Sequence, residues 1–326
     1  MRTALVTGAS GCLGSTLAIR LHESGVRVRA LIRSGSDTRS LAGIPVESWA
    51  GDICDYDVLR KAMEGCDAVF HTAALVTFAR KSGEEQQRVN VRGTRTVVSA
   101  CIASGVKTLV HTSSITTIGT PPPGEEADET LQADRVHARG YKLSKILAED
   151  EIQDGVSRGL RAVIVNPSVI IGERDTRFHA GQLIRDIKKG RIPFYVEGGM
   201  NIVYVGDVAA GMMAAAGLGR TGERYILAGE NQTHEQIFRR TAALIGGRPP
   251  LARFPLPLLS GLGGVVELVS GLLGVEPLLT RDLAAVAGRY HWFTAAKAEN
   301  ELAFKATPFD RTILAAYEWY RDNGYL

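Results

Sequence analysis

The sharpest chemical signal in the 326-residue chain is Tyr141-Lys142-Leu143-Ser144-Lys145. Residues four apart on a helix share a face, so the Tyr141 phenol and the Lys145 ammonium are expected side by side. A nearby cation favours the phenolate, and lowering a phenol by about three pKa units takes roughly 4 kcal/mol of differential stabilisation. Such a phenol can exchange a proton with a carbonyl or alcohol oxygen while hydride moves to or from the attached carbon. A second motif offers a place for the hydride carrier. Gly8-Ala9-Ser10-Gly11-Cys12-Leu13-Gly14 directly follows an apolar run and opens an amphipathic helix. Glycines at this spacing let the backbone turn tightly and approach a pyrophosphate, whose charge then meets amide N–H groups and the helix N-terminus. Gly8, Ser10, Gly11, Cys12, Leu13 and Gly14 are therefore candidate contacts to a nicotinamide dinucleotide, whose positive ring would also favour the phenolate. Cys12 reads as a small buried filler, with a reactive thiol as the alternative.

The end of the second strand selects the dinucleotide. An acidic residue there bonds the ribose hydroxyls of NAD, whereas arginine favours the 2′-phosphate of NADP. The segment reads Leu31-Ile32-Arg33-Ser34, with Ile32 at the acidic position and Arg33 next to it. With no carboxylate to repel a phosphate and a guanidinium able to grip it, NADP(H) is the preferred cofactor and NAD(H) the alternative. Arg39 is a second candidate contact.

These groups need a scaffold, and the chain alternates apolar strand-like runs with helical patterns. Strands are expected at 2–7, 26–32, 46–51, 68–72, 108–112 and 161–166, and helices at 13–24, 56–63, 84–104 and 142–156. This alternation predicts an α/β fold, a Rossmann doubly wound parallel sheet with helices on both faces. Beyond it come a helix at 182–189, a turn at 198–201, a strand at 202–205, an Ala-rich helix from Asp207, a strand at 225–227 and a helix at 233–245. We read residues 1–167 as the dinucleotide domain, with a return to the sheet near 201–228. Residues 168–200 and 229–326 form a smaller C-terminal substrate-binding cap. Pro121-Pro122-Pro123-Gly124 with Glu125-Glu126 is expected to be a surface loop.

Composition sets outer limits. With 45% apolar and 22% charged residues, the chain is an ordinary globular one, neither disordered nor multi-span membrane. A net charge of +3, from 38 basic and 35 acidic residues spread along the chain, argues against a nucleic-acid partner. Cys12, Cys54, Cys66 and Cys101 form no C-x-x-C pair and read as reduced thiols, which points to the cytoplasm. The immediate first strand leaves no room for a targeting segment. No apolar run reaches the roughly 20 residues of a spanning helix. The histidines lack metal spacing, so no metal site is expected. His71 and His111 read as satisfied core residues, and His137, one turn before Tyr141, as either surface or substrate-facing.

The glycine spacing is G-x-x-G-x-x-G, and with the Tyr/Lys pair it resembles the short-chain dehydrogenase/reductase superfamily. Chain length and the cap are similar to its extended branch, the NAD-dependent epimerase/dehydratase superfamily. Within that branch, Gly51-Asp52-Ile53, Asn90-Val91-Arg92-Gly93-Thr94, Asn166-Pro167-Ser168 with Gly172-Glu173-Arg174-Asp175, and Gly222-Glu223-Arg224-Tyr225-Ile226-Leu227 resemble dihydroflavonol 4-reductase-like and hopanoid-associated sugar-epimerase-like proteins. The resemblance implies further roles. Ser114, five residues before Gly119, is the hydroxyl beside Tyr141, with Ser113 the alternative. Lys145 also holds the nicotinamide ribose. Asp52 with Ile53 meets the adenine, Ala73-Ala74 wall the ribose, and Pro167, Ser168 and Val169 meet the nicotinamide side. Asn90 is a structural position. The resemblance also implies a homodimer through helices near 84–104 and 141–156. Ile115 and Thr116 stand where the branch's dehydratases carry an Asp-Glu pair, which argues against elimination chemistry.

Candidate substrate-pocket residues are Val76, Phe78, Ile115, Thr116 and Phe178, with Ile118 and Tyr195 further candidates. Their character is apolar, and Arg174 or Arg177 are the cations available for a diphosphate. The apolar stretch 256–273 reads as core helices broken by glycines, the alternative being a greasy-substrate or membrane contact. The function expected is an NADP(H)-dependent reductase/dehydrogenase of a hydrophobic ketone, aldehyde or secondary alcohol. The alternatives are a nucleotide-sugar epimerase and a non-catalytic dinucleotide sensor.

Overall fold

The computed structural model describes residues 1–77, 82–178, 180–259, 261–262 and 286–326. Its first half runs β1 (Thr3–Thr7), α1 (Cys12–Glu23), β2 (Arg27–Ile32), β3 (Glu47–Ala50), α2 (Tyr56–Met63), β4 (Ala68–His71), α3 (Gly83–Gln86), α4 (Gly93–Ala103), β5 (Thr108–Thr112), α5 (Gly140–Ser157) and β6 (Ala162–Pro167). The second half runs β7 (Val169–Ile171), α6 (Gly181–Lys188), β8 (Phe194–Tyr195), β9 (Gly199–Tyr204), α7 (Val205–Leu218), β10 (Arg224–Leu227), β11 (Glu230–Thr233), α8 (His234–Ile245), β12 (Ala252–Arg253), β13 (Tyr290–His291), α9 (Ala296–Leu302) and α10 (Phe309–Asp322). Phe78 and most of 256–273 lie outside the described residues.

Seven parallel strands form the central sheet in the order β10-β6-β5-β4-β1-β2-β3. Strand alternation builds a core on each face. Val6, Phe70, Val110 and Val165 pack toward α1 and α7, while Leu5, Val69, Leu109 and Ile164 pack toward α2, α4 and α5. Each is fully buried, and a side chain such as Phe70 contributes about 2–3 kcal/mol by leaving water. The chain turns in opposite directions after β1 and β4. Their carboxyl ends therefore part and leave a crevice, the usual ligand position in such sheets.

Three features depart from the expected layout. The helix expected over 84–104 is interrupted: between α3 and α4 the segment Gln87–Arg92 is wound as a π-helix. The turn expected at 198–201 gives way to β9 from Gly199, because Gly199 and Met200 pair with Thr233 and Gln232 of β11. Residues 201–204 do not rejoin the central sheet. They belong to a smaller sheet of β11, β9, β13 and β7, with Ile202 in the cap core and the adjacent Val203 in the central core. The return to the large sheet is made by α7, packed on α1, and by β10 beside β6. The cap core is built from α6, α8 and α10. Thr233 caps α8 in a reciprocal capping box with Gln236, and Gly246 ends it at φ 62°. Pro122–Glu126 is exposed, as the breaker residues suggest.

Candidate active site

The carboxyl ends of the strands open onto two adjoining cavities. The first, about 560 Å³, is floored by Gly8, Gly11, Cys12, Leu13 and Gly14. Its walls are Thr72, Ala74, Leu75 and Val76 on one side and Thr112, Ser113, Ser114, Tyr141 and Lys145 on the other. Pro167, Ser168, Ile170, Gly172, Asp175, Thr176, Arg177 and Ala180 roof it. The second, about 360 Å³, is lined by Leu31, Arg33, Ser36, Gly51, Asp52, Ile53, Ala73, Glu85 and Val89. Gly8, Ala74, Leu75 and Arg177 line both, so the two are halves of one crevice across the switch point.

The glycine turn is built for close approach. Gly8 has φ 70°, and a Cβ there would stand 2.6 Å from the Ala73 amide nitrogen. A Cβ on Gly14 would collide with the Gly8 carbonyl. Gly11 is the N-cap of α1 and supplies no capping side chain, so the first-turn amides beside the cavity await another acceptor. These features fit a dinucleotide whose pyrophosphate lies over the turn. Ser10 supports the turn from behind, its carbonyl accepting from the Ser40 hydroxyl at 2.9 Å. Val169 does not line the crevice: it is exposed on β7, and alternation along the strand turns Ile170 inward instead. The Cys12 thiol donates to the Glu173 carbonyl at 3.2 Å, and burial, then Asp175 and Glu173, pushes it well up. A thiol held protonated in this way is a poor nucleophile.

Tyr141 and Lys145 sit four apart on α5, both facing the first cavity. Ser114 opens a short 3₁₀ turn, accepts the Thr116 amide at 3.2 Å and is hydrogen-bonded to the Tyr141 phenol. The Ser113 hydroxyl instead donates to Glu149 at 2.5 Å. The expected lowering of the phenol is not what the chain's own groups produce. Burial raises Tyr141 to about 12, with the Ser114 hydrogen bond pulling the other way. The ammonium is directed to the Thr112 carbonyl at 2.7 Å, and burial lowers Lys145 to about 8 against the opposing pull of Glu149.

Glu149 is the site residue that motif reading missed. One of its oxygens accepts from Ser113, from Thr117 at 2.7 Å and from Asn166 at 2.8 Å, and Asn166 also donates to the Ser114 carbonyl at 3.2 Å. It thus fixes the loop that presents Ser114. Its spacing, four residues after Lys145 and eight after Tyr141, places it on the same helix face and was the available signal.

Other expected residues fall elsewhere. Ile115 packs against the central core, Ile118 is buried within it, and Thr116 has a buried hydroxyl that makes no hydrogen bond. Phe178, at φ 57°, stacks on Tyr325 and meets Tyr320 edge-on, because Tyr320 of α10 and Tyr325 just past it claim it for the cap core. Tyr195 lines a separate cleft with Glu235 and Arg253. Arg39 is held by Asp37 at 2.7 Å, and His137 is exposed and paired with Asp134 at 2.6 Å. Arg174 donates to the Ser40 carbonyl at 2.6 Å. His71 is satisfied on both ring nitrogens, but His111, in the same buried layer, is satisfied on neither. Among the described residues no cluster of side chains is suited to a metal ion.

Comparison with known proteins gives the same picture. Residues 4–228 match the model of the NAD dependent epimerase/dehydratase family. A Synechocystis sp. protein assigned as a dihydroflavonol 4-reductase is 34% identical, over 98% of this chain and 95% of its own. The 4-hydroxy-2-methyl-3-oxo-4-farnesyl-3,4-dihydroquinoline-1-oxide ketoreductase of Stigmatella aurantiaca is 35% identical, over 70% of this chain and 68% of its own. The crystal structure of gox2253 superposes with a TM-score of 0.91 at 36% identity, covering 100% of both chains. The crevice, the sheet order and these likenesses together place the chain in the NAD-dependent epimerase/dehydratase family of extended short-chain dehydrogenases/reductases, as an NAD(P)-dependent oxidoreductase.

Proposed function

We propose that the chain is an NADP(H)-dependent reductase/dehydrogenase of hydrophobic ketones, aldehydes or secondary alcohols. One observation carries the reading: Tyr141, Ser114 and Lys145 share a single cavity with the glycine turn, and Leu13, Leu75, Val76 and Ile170 line much of the rest. The dinucleotide, when bound, supplies or accepts the hydride. A phenol raised to about 12 stays protonated at neutral pH, which suits it to give its proton to a carbonyl oxygen. The Ser114 hydroxyl hydrogen-bonds that oxygen, and the Lys145 cation stabilises the phenolate left behind. The names of the Synechocystis and Stigmatella relatives support the reductive direction. The test is to mix purified protein with NADPH and a panel of carbonyl compounds. Loss of reduced-nicotinamide absorbance is expected; no turnover together with no NADPH binding refutes the reading.

Arg33 and Arg177 both line the second cavity and favour NADP(H). The expected result for Arg33→Ala combined with Arg177→Ala is a rise of about 10–100-fold in KM for NADPH, the loss of charge-assisted bonds to a phosphate, with little change for NADH. Equal effects on the two coenzymes would contradict the preference.

Lys145 also predicts a pH dependence. Its folded pKa lies below the unfolded value, so on this group alone stability rises with pH between about 8 and 10.5. Activity should fall over the alkaline limb as the ammonium is lost. Glu149→Gln removes the countercharge and should move that limb down by about one pH unit in a kcat profile.

The family description also names epimerases, which favours a second reading as a nucleotide-sugar epimerase. Purified protein carrying stoichiometric NAD that does not exchange with added coenzyme would support it instead.

A further inference from the structure

Behind the crevice, five buried residues, Thr7, His71, Thr94, Asn90 and Ser144, are linked in a row by hydrogen bonds that pass through both the backbone carbonyl and the side-chain amide of Asn90. The donors can be assigned by elimination. The Thr94 hydroxyl gives its only hydrogen to the Asn90 backbone carbonyl at 2.6 Å. His71 Nε2, 3.0 Å from that hydroxyl, must therefore carry the proton and donate it. Nδ1 is then a bare acceptor, and the Thr7 hydroxyl at 2.7 Å donates to it while accepting the Ala73 amide at 3.4 Å. Beyond Thr94, the Asn90 amide accepts the Leu75 N–H at 2.7 Å and donates to the Leu75 carbonyl at 3.1 Å and to Ser144 at 2.9 Å. Ser144 donates to the Tyr141 carbonyl at 2.8 Å.

Both ends of the chain lie at the crevice. Ala73 and Leu75 line it on the β4 side, and Tyr141 lines it on the α5 side. The middle passes through the π-helical segment Gln87–Arg92, whose Asn90 backbone carbonyl accepts the Thr94 hydroxyl. Among these five side chains only His71 carries a ring, and its two nitrogens face opposite demands, so a single tautomer satisfies both sides. Burial keeps it neutral, with the Lys145 charge adding to the effect, and the neighbouring ring is His111 at 5.2 Å.

We propose that His71, as the neutral Nε2–H tautomer, is a positioning residue that fixes the first turn of the Tyr141 helix against the Ala73–Leu75 loop. The proposal rests on the acid–base role of Tyr141 for its catalytic consequence, but its geometry can be tested without turnover. In protein labelled with ¹⁵N-histidine, NMR should show His71 as the Nε2–H form, unchanged from about pH 5 to 9. Thr94→Val keeps the shape and removes the hydroxyl. It should speed amide exchange in 140–145 by about tenfold relative to α10, while Thr94→Ser restores the wild-type rate.

With NADPH and 9,10-phenanthrenequinone as probe, Thr94→Val should lower kcat about tenfold and leave KM for NADPH within about threefold, with rescue by Thr94→Ser. An Nδ1–H or protonated His71, or unchanged exchange in Thr94→Val, overturns the proposal. If the tautomer and exchange results hold but the wild-type protein reduces no carbonyl probe, the positioning chain stands and the catalytic reading of Tyr141 fails.

Discussion

Tyr141→Phe is expected to lower kcat for carbonyl reduction by about 10³-fold while NADPH affinity stays within about threefold. The ring is half-buried in the crevice wall, so phenylalanine keeps its shape and packing. What is lost is the proton that neutralises the substrate oxygen as hydride arrives. Without it an alkoxide must form next to the hydroxyl of Ser114 alone. Single-turnover reduction, read by reduced-nicotinamide absorbance, separates this step from binding. A variant that retains more than about a tenth of wild-type kcat would remove Tyr141 from the chemistry.

Lys145→Met should cost about 10²-fold in kcat, and the alkaline limb of the pH profile should disappear. Methionine fits the space of the buried stem but carries no charge. The Thr112 carbonyl then loses its donor at 2.7 Å, and the phenolate formed by Tyr141 loses the buried cation one turn along its helix. Stability should respond in a characteristic way. The buried ammonium is disfavoured below about pH 8, so the variant's melting temperature should lose the rise expected between about 8 and 10.5. A kcat profile that keeps the same alkaline limb in Lys145→Met would assign that limb to another group.

Much of the site was legible because its chemistry depends on local spacing. The glycine turn and the Tyr141/Lys145 pair each lie within one turn-and-helix segment, and the fold needed only to bring two strand ends together. The sheet was equally legible, since runs such as Ala4–Val6 and Val163–Val165 are apolar on both faces. The π-helical segment was not: helix propensity encodes no switch from α to π winding, and the contacts of Asn90 with Leu75 and Ser144 are tertiary.

The cap was harder for the same reason. Phe178 looks like a pocket residue in sequence, yet Tyr320 and Tyr325, more than a hundred residues later, draw it into the cap core. Ile115 and Thr116 follow the Ser114 hydroxyl in sequence, but the 3₁₀ turn at Ile115–Thr117 turns them from the crevice. Arg177 was read as one of two spare cations, and only the structure sets it at the junction of the two cavities. The pKa of Tyr141 shows the limit of pairwise reasoning. A lysine four residues away suggested a lowered phenol, whereas burial of both groups raises the one and lowers the other.

In the reaction proposed, the crevice passes a hydride from a freely exchanging coenzyme to a carbonyl carbon while Tyr141 supplies the proton. The most direct test uses NADPH deuterated at the transferable position of its nicotinamide ring, with a hydrophobic ketone and the wild-type protein. Deuterium is expected on the carbon bearing the new hydroxyl, one equivalent for each NADPH consumed. Product without label, or a protein that holds its coenzyme without exchange and transfers no deuterium, would contradict it.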